Sequence, residues 1–165
     1  MHGDRPKMGL RKLDLDEVRE FIEQQPPETK IYLGCDSELV LEEGGIWYAY
    51  YATAIVIHMN GNRGCKLFGE VVCERDFGQQ QDKPKHRLMT ETFKVSELYL
   101  KLSDILVDRE VEVHLDLNPN ENSGSYCALK EAIGYIQGTC NVIPMVKPNS
   151  FAASCAADRL RSLSM

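Results

Sequence analysis

The chain has 165 residues, of which 43% are hydrophobic and 27% are charged, and its formal net charge is −6. This length and hydrophobic content favour one compact domain with its own core. The acidic balance excludes a protein that coats nucleic acid through bulk positive charge, but not an enzyme whose acids are neutralised by metal ions. We expect a loose basic arm over residues 1–13 and a single domain over residues 14–165.

The six cysteines form no Cys-x-x-Cys pair, and no histidine pattern accompanies them. This spacing argues against a zinc site and favours the reduced thiols of a cytoplasmic protein. The longest nearly apolar run, residues 48–57, is too short to cross a bilayer, and the N-terminus lacks the apolar core of a signal peptide. We therefore predict a cytoplasmic protein without a membrane partner, and the sequence leaves its oligomeric state open.

The first half of the chain predicts one helix followed by an antiparallel meander. Asp14 has the position of a helix N-cap with Glu17 three residues on, and Pro26 and Pro27 stop that helix. Three segments rich in β-branched and aromatic residues follow, separated by turn signals. The predicted strands are 30–37, 46–60 and 65–74, with a turn at 41–45 and an Asn-Gly hairpin at 60–62.

The second half alternates helices and strands. An apolar stripe at helical spacing, from Leu88 to Ile105, marks a long helix. The predicted elements are helix 86–107, strand 110–117, helix 125–137 ended by Gly138, strand 141–146, and a final helix with Ser150 as its N-cap. Right-handed helical crossovers make strands one, four and five parallel neighbours. The predicted fold class is α/β, with a mixed five-stranded sheet, helices on both faces and an extra N-terminal helix.

Two predicted parallel strands carry an acid where they end, Asp36 and Asp116. Because neighbouring parallel strands end at the same edge of a sheet, we expect these acids to lie close together. Glu91 falls between Leu88 and Val95 on the apolar stripe of the long helix and therefore faces the sheet. Buried carboxylates are costly without a cation, and gathered carboxylates raise each other's pKa.

Carboxylate oxygens favour Mg²⁺ or Mn²⁺. Two such ions about 4 Å apart can bind the attacking water and the leaving oxygen of a phosphodiester, which permits hydrolysis without a protein nucleophile. Asp36 would bridge both ions, Glu91 and Asp116 would each hold one, and Asp158 would hold the second ion from the last helix. Taken singly, a strand-end Asp is more often a turn residue, and Asp158 a surface acid paired with a neighbouring arginine.

The order of these acids resembles the ribonuclease H-like superfamily, and the chain is most similar to the YkuK-like family, a domain of unknown function. Segments 34–38, 90–92, 114–117 and 147–159 carry the resemblance, which spans roughly residues 12–163. It implies a ribonuclease H-like fold with Asp36, Glu91, Asp116 and Asp158 as metal ligands, and a reaction class without a particular substrate. The loop 118–124 is longer than this resemblance leads us to expect, which affects how a substrate would be placed.

Other residues predict contacts with a nucleic acid. His114 lies two residues before Asp116 on the same strand face, where it could order a ligand carboxylate through a hydrogen bond or be an ordinary core histidine. A basic cluster at 83–87 could contact a phosphate backbone or form a solvated turn. The candidate substrate-binding residues are Lys147, Ser37, Lys85 and Arg87.

The sequence therefore predicts an enzyme, a two-metal nuclease acting on RNA, an RNA–DNA hybrid or structured DNA. The alternative is a catalytically silent module of the same fold that binds nucleic acid or protein. A phosphotransferase of the actin-like kind is disfavoured, because the chain is too short for two lobes and no Gly-rich phosphate loop follows the first strand.

Overall fold

The computed structural model describes residues 12–59, 64–77 and 84–164, with the backbone alone at 155 and 161–164. Most of the predicted N-terminal arm, the hairpin turn at 60–62 and the basic residue Lys83 lie outside these described residues. In chain order the elements are α1 (Leu15–Glu23), β1 (Lys30–Glu42), β2 (Ile46–His58), β3 (Cys65–Arg75), α2 (Lys85–Leu106), β4 (Val111–Leu115), α3 (Leu129–Cys140) and α4 (Ala157–Ser164).

The strands form one mixed sheet in the order β3-β2-β1-β4. β2 pairs with β1 and with β3 in antiparallel fashion, so the predicted meander is confirmed. β4 pairs with β1 in parallel, with Gly34 beside His114 and Cys35 beside Leu115. This parallel pair sets the relative position of Asp36 and Asp116, because each is the next residue along its chain segment; β1 itself continues to Glu42, beyond the predicted end at residue 37.

The predicted fifth strand over 141–146 is not formed. Within the described residues this segment makes only an isolated parallel bridge, between Met145 and His114. The bridge is held by the Leu115 N–H donating to Met145 O and the Met145 N–H donating to Val113 O, both at 2.8 Å. The described sheet therefore has four strands, and a single β-bridge stands where the fifth strand was predicted.

Helix α3 also ends later than predicted, and this shortens the segment that follows it. A 3-10 turn over Gly124–Ala128 leads into α3, which continues past Gly138 to Cys140. The helix is closed by Asn141 in the left-handed conformation at φ 60°, a role that Asn shares with Gly. A chain leaving the helix at 141 has few residues left before the bridge at Met145.

Helices cover both faces of the sheet, as predicted. α1, α2 and α3 bury one face, with a core that includes Ile31, Leu33 and Leu102. The other face is covered by the last helix, in which a π-helical stretch over Ala152–Ala156 leads into α4. We call residues 152–164 the C-terminal helix; its Ala157 and Leu160 pack on β2 and β3.

Gly34 in β1 allows the C-terminal helix to touch the sheet. A Cβ atom at this position would lie 2.5 Å from the carbonyl carbon of Ala152 and 2.5 Å from the nitrogen of Ala153. Both are backbone atoms, which cannot turn aside as a side chain can. The absence of a side chain at Gly34 therefore sets the distance between this helix and the strand that carries Asp36.

We expect Gly34→Ala to lower the free energy of unfolding by about 3 kcal/mol, because the added methyl group overlaps the backbone of the C-terminal helix. Gly134→Ala is the matched control, since a Cβ at Gly134 in α3 meets nothing within 4 Å. This control should raise the free energy of unfolding by roughly 0.5–1 kcal/mol through helix propensity. Urea unfolding of both variants measures the difference, and equal stabilities would contradict the close approach.

Candidate functional site

The site lies where β4 ends beside β1. Asp36 still pairs with Ala52 of β2, whereas Asp116 is the first residue beyond β4. Since Cys35 and Leu115 are aligned in the parallel pair, the two aspartates are neighbours across the strands. The alternation of side chains puts Asp36 on the face of Gly34, toward the C-terminal helix, and Ser37 on the opposite face, toward α2.

Glu91 reaches the same edge from α2 and is 3% exposed. The Ser37 hydroxyl donates a short hydrogen bond to Glu91 Oε2. Arg87 Nη1 donates to Ser37 Oγ at 2.8 Å and lies 3.8 Å from Glu91 Oε2. Ser37 therefore sits between a cation and a buried carboxylate, and both of its contacts fix the position of Glu91.

The charges of two aspartates, one in β1 and one just beyond β4, act on Glu91 of α2. Burial raises the pKa of Glu91 well above its usual value, and the charge of Asp36 raises it further. The hydrogen bond from Ser37 and the charge of Arg87 oppose this shift in the Glu91 pKa, whereas Asp116 adds to it. The charges of Asp36 and Asp116 thus both disfavour the ionised form of Glu91, while the predicted joint metal site of these three acids stays a prediction.

Asp116 faces a lysine. Lys147 Nζ lies 3.1 Å from Asp116 Oδ1. This oxygen is buried and accepts no hydrogen bond of acceptable direction within the described part of the chain. The ammonium group is close enough to balance the charge of Asp116, but its direction does not suit a hydrogen bond. The oxygen therefore keeps a lone pair for another partner.

Asp158 lies in the C-terminal helix. It is an exposed residue in the first turn of α4, just after the π-helical stretch. Across the described ranges, no group of three His, Cys, Asp or Glu side chains is arranged to hold a metal ion as it stands. The charges of Asp36 and Asp116 act on Glu91, and the described residues form no ready metal-binding group of three such side chains.

Of the two roles considered for His114, its hydrogen bonds favour that of a core histidine. Its Nδ1 accepts a hydrogen bond from the Ala152 N–H at 3.1 Å, so the proton resides on Nε2, which donates to Glu112 Oε1 at 3.0 Å. Neither of these bonds reaches Asp116. Burial lowers the pKa of His114, opposed by the bond to Glu112, which agrees with a neutral ring. His114 connects β4 to the start of the C-terminal helix.

The predicted substrate-binding residues fall into three environments. Lys85 is an exposed residue that pairs with Glu131 of α3 at 2.7 Å. Ser37 and Arg87 contact Glu91, and Lys147 contacts Asp116. The i,i+4 spacing of Arg87 and Glu91 was a signal in the sequence for their contact. No comparable signal linked Lys147 to Asp116, since 31 positions separate them.

The oxygen ligands that these acids offer are of the kind that hard divalent cations prefer. All three gathered side chains offer carboxylate oxygens, and the buried Asp116 Oδ1 has a lone pair without a donor. A carboxylate such as Glu91, buried beside two other acids, is compensated most directly by a cation of charge two. The residues that could hold such a cation are Asp36, Glu91 and Asp116.

Comparison with known proteins identifies the family. A family model described as ribonuclease H-like matches residues 15–162. This confirms the predicted resemblance, including the relation to the YkuK family. The searches of curated proteins and of solved structures find no match. Among the described residues, no helix has both the length and the apolar character needed to cross a membrane.

We expect the stability of the chain to depend on pH through Glu91. In EDTA, the free energy of unfolding should fall relative to that of Glu91→Gln as pH rises above 4.5, the ordinary Glu pKa. The sign follows because a carboxyl group whose pKa is raised by folding favours the folded state when protonated and opposes it when ionised. The loss should continue until pH passes the raised pKa of Glu91.

Urea unfolding of both proteins between pH 4.5 and pH 8 measures this difference. Glu97→Gln is the control, because Glu97 lies on the same helix with an exposed side chain. Its stability should run parallel to that of the unsubstituted chain. Parallel curves for Glu91→Gln as well would show that the buried carboxyl group is not under electrostatic strain.

Proposed function

The chain belongs to the ribonuclease H-like family, and from this premise and the gathered carboxyl groups we propose that it is a divalent-metal-dependent nuclease. Its substrate would be RNA, an RNA–DNA hybrid or structured DNA. The observation that carries the proposal is the burial of Glu91 beside Asp36 and Asp116, three acids whose charges oppose one another. A structural role alone does not account for a carboxylate placed where two other carboxylates raise its pKa.

In this proposal Asp36, Glu91 and Asp116 hold Mg²⁺ or Mn²⁺, and Asp158 contributes to a second ion from the C-terminal helix. When bound, the ions would supply the activated water and stabilise the leaving oxygen of the phosphodiester. Nucleic acid is the natural substrate class, because a metal pair of this kind suits phosphodiester hydrolysis without a protein nucleophile.

The side chains around the acids have separable tasks. Ser37 and Arg87 fix the Glu91 carboxylate, so that its orientation is set before a substrate arrives. Lys147 neutralises Asp116 in the free chain. In the loaded site its ammonium group would be released from Asp116 and become available to a phosphate oxygen of the substrate.

A catalytically silent module that binds nucleic acid or protein is the second candidate. The observation that favours it is the incomplete ligand set: Asp158 is exposed, and Lys147 already occupies the neighbourhood of Asp116. In such a protein the lysine would be a permanent substitute for the metal. The two candidates differ in whether Asp36 and Asp116 are needed for cleavage or only for folding.

We expect Asp36→Asn and Asp116→Asn each to lower Mg²⁺- or Mn²⁺-dependent cleavage by about 100-fold or more, because each removes a charged metal ligand. Cleavage of labelled RNA, RNA–DNA hybrid and branched DNA, with and without EDTA, is the measurement. Glu97→Gln, which changes the same charge on an exposed part of α2, should leave the rate unchanged. Binding that persists in the double variant without any cleavage by the unsubstituted chain would favour the silent module.

We expect Lys147→Met to tighten Mn²⁺ binding roughly three- to ten-fold, because it removes a cation that competes for Asp116. Lys30→Met is the matched control: Lys30 pairs with Glu110 at 3.0 Å at the far end of the same two strands. It removes the same charge from a pair of similar length. Isothermal titration with Mn²⁺ measures both affinities, and unchanged or weaker binding by Lys147→Met would contradict the competition.

A further inference from the structure

An open cleft of about 620 Å³ lies beside the acids, and nothing in the proposed mechanism uses it. Lys147 belongs to both places, since it lines the cleft and contacts Asp116. The cleft begins at Asn118, two residues beyond Asp116, and its opposite side is formed by Ser150 and Ser154 at the start of the C-terminal helix. A ligand in the cleft would therefore be continuous with one bound at the acids.

Ser150 contributes a buried hydroxyl without a partner. The residue is 1% exposed, and its Oγ has no hydrogen bond among the described residues. The predicted N-cap function is carried by its backbone instead, since the Ser150 carbonyl accepts from the N–H groups of Ala153 and Ser154. A buried hydroxyl without a bond destabilises a folded chain, so its presence in a cleft points to a bound ligand.

The asparagines of the cleft present donors as well. Asn118 Oδ1 accepts the N–H of Asn120, and Asn120 Oδ1 accepts the N–H of Asn122, each at 2.9 Å. The two amide NH2 groups make no hydrogen bond with the described residues. With the Lys147 ammonium and the Ser150 hydroxyl, the cleft offers donors and no carboxylate. This chemistry selects a ligand rich in acceptor oxygens and negatively charged.

We propose that this cleft binds the sugar–phosphate backbone of the nucleic-acid strand next to the phosphate held at the acids, with Asn118 and Ser150 donating to its oxygens. The inference rests on the proposed function for the identity of the ligand. Lys147 then joins the two phosphate positions: it leaves Asp116 and lies between adjacent phosphates. Contacts to a phosphate backbone position a strand without reading its sequence.

The test is fluorescence anisotropy with short fluorescein-labelled RNA–DNA hybrid, single-stranded RNA and single-stranded DNA, using the full chain with Asp36→Asn and Mg²⁺. Ser150→Ala removes the hydroxyl, and Asn118→Asp keeps the acceptor of the turn while replacing the NH2 donor with a negative oxygen. Ser150→Ala should weaken binding about five-fold and Asn118→Asp at least ten-fold. Ser150→Ala should leave the Tm of the free chain unchanged or raise it, because the hydroxyl has no bond to lose.

The controls change the same groups outside the cleft. Ser103→Ala removes an exposed hydroxyl in α2, and Asn122→Asp introduces the same charge on the same loop. Neither should weaken binding by more than about two-fold. The inference would be overturned if Asn122→Asp weakened binding as much as Asn118→Asp. It would also be overturned if Ser150→Ala lowered the Tm by several degrees, or if the chain bound none of the probes.

The outcomes separate this inference from the proposed function. If the cleft variants lose binding and the unsubstituted chain cleaves nothing, strand binding in the cleft is supported and nuclease activity is contradicted. If the unsubstituted chain cleaves in a metal-dependent way and the cleft variants bind as tightly as their parent, nuclease activity is supported and strand binding in the cleft is contradicted.

Discussion

The electrostatic conflict at Glu91 is the constraint from which the arrangement of the site follows. A carboxylate that is 3% exposed and faces two other acids needs compensation, and the chain supplies only part of it. Arg87 and the Ser37 hydroxyl compensate from the side of α2. On the other side Lys147 compensates Asp116. In the described part of the chain Arg87 acts on Glu91 and Lys147 on Asp116, and a divalent cation would compensate the three carboxyl groups together.

The fold brings these groups together through close approaches at the end of β4. Gly34 lets the C-terminal helix contact β1 directly, two positions before Asp36. His114 then connects β4 to the first turn of that helix through Ala152. The rudimentary bridge at Met145 brings Lys147 alongside Asp116. The cleft next to the acids arises from the same approach, because its two sides are the loop after β4 and the start of the C-terminal helix.

Periodic features of the sequence were sufficient to predict much of the fold. The meander, the long helix α2 and the parallel pairing of β1 with β4 follow from alternation, an apolar stripe and crossover handedness. The burial of Glu91 was predictable for the same reason, since it lies on the stripe. Asp14 was also correctly predicted as an N-cap, and its side chain accepts from the N–H groups of Asp16 and Glu17.

The errors arise where a local pattern competes with tertiary contacts. An apolar run at 141–146 resembles a strand, but α3 extends to Cys140 and the described segment then forms only the isolated bridge at Met145. The π-helical stretch over Ala152–Ala156 was not predictable from helical spacing. Pairs such as Lys147 and Asp116 depend on the path of the whole chain between them.

Anomalous diffraction from a crystal soaked in Mn²⁺ tests the central claim most directly, since it locates the metal without reference to activity. We expect one or two manganese peaks bounded by the carboxylates of Asp36, Glu91 and Asp116, with Lys147 displaced from Asp116. A crystal with no peak at this position, or with Lys147 still in contact with Asp116 at saturating Mn²⁺, would contradict it.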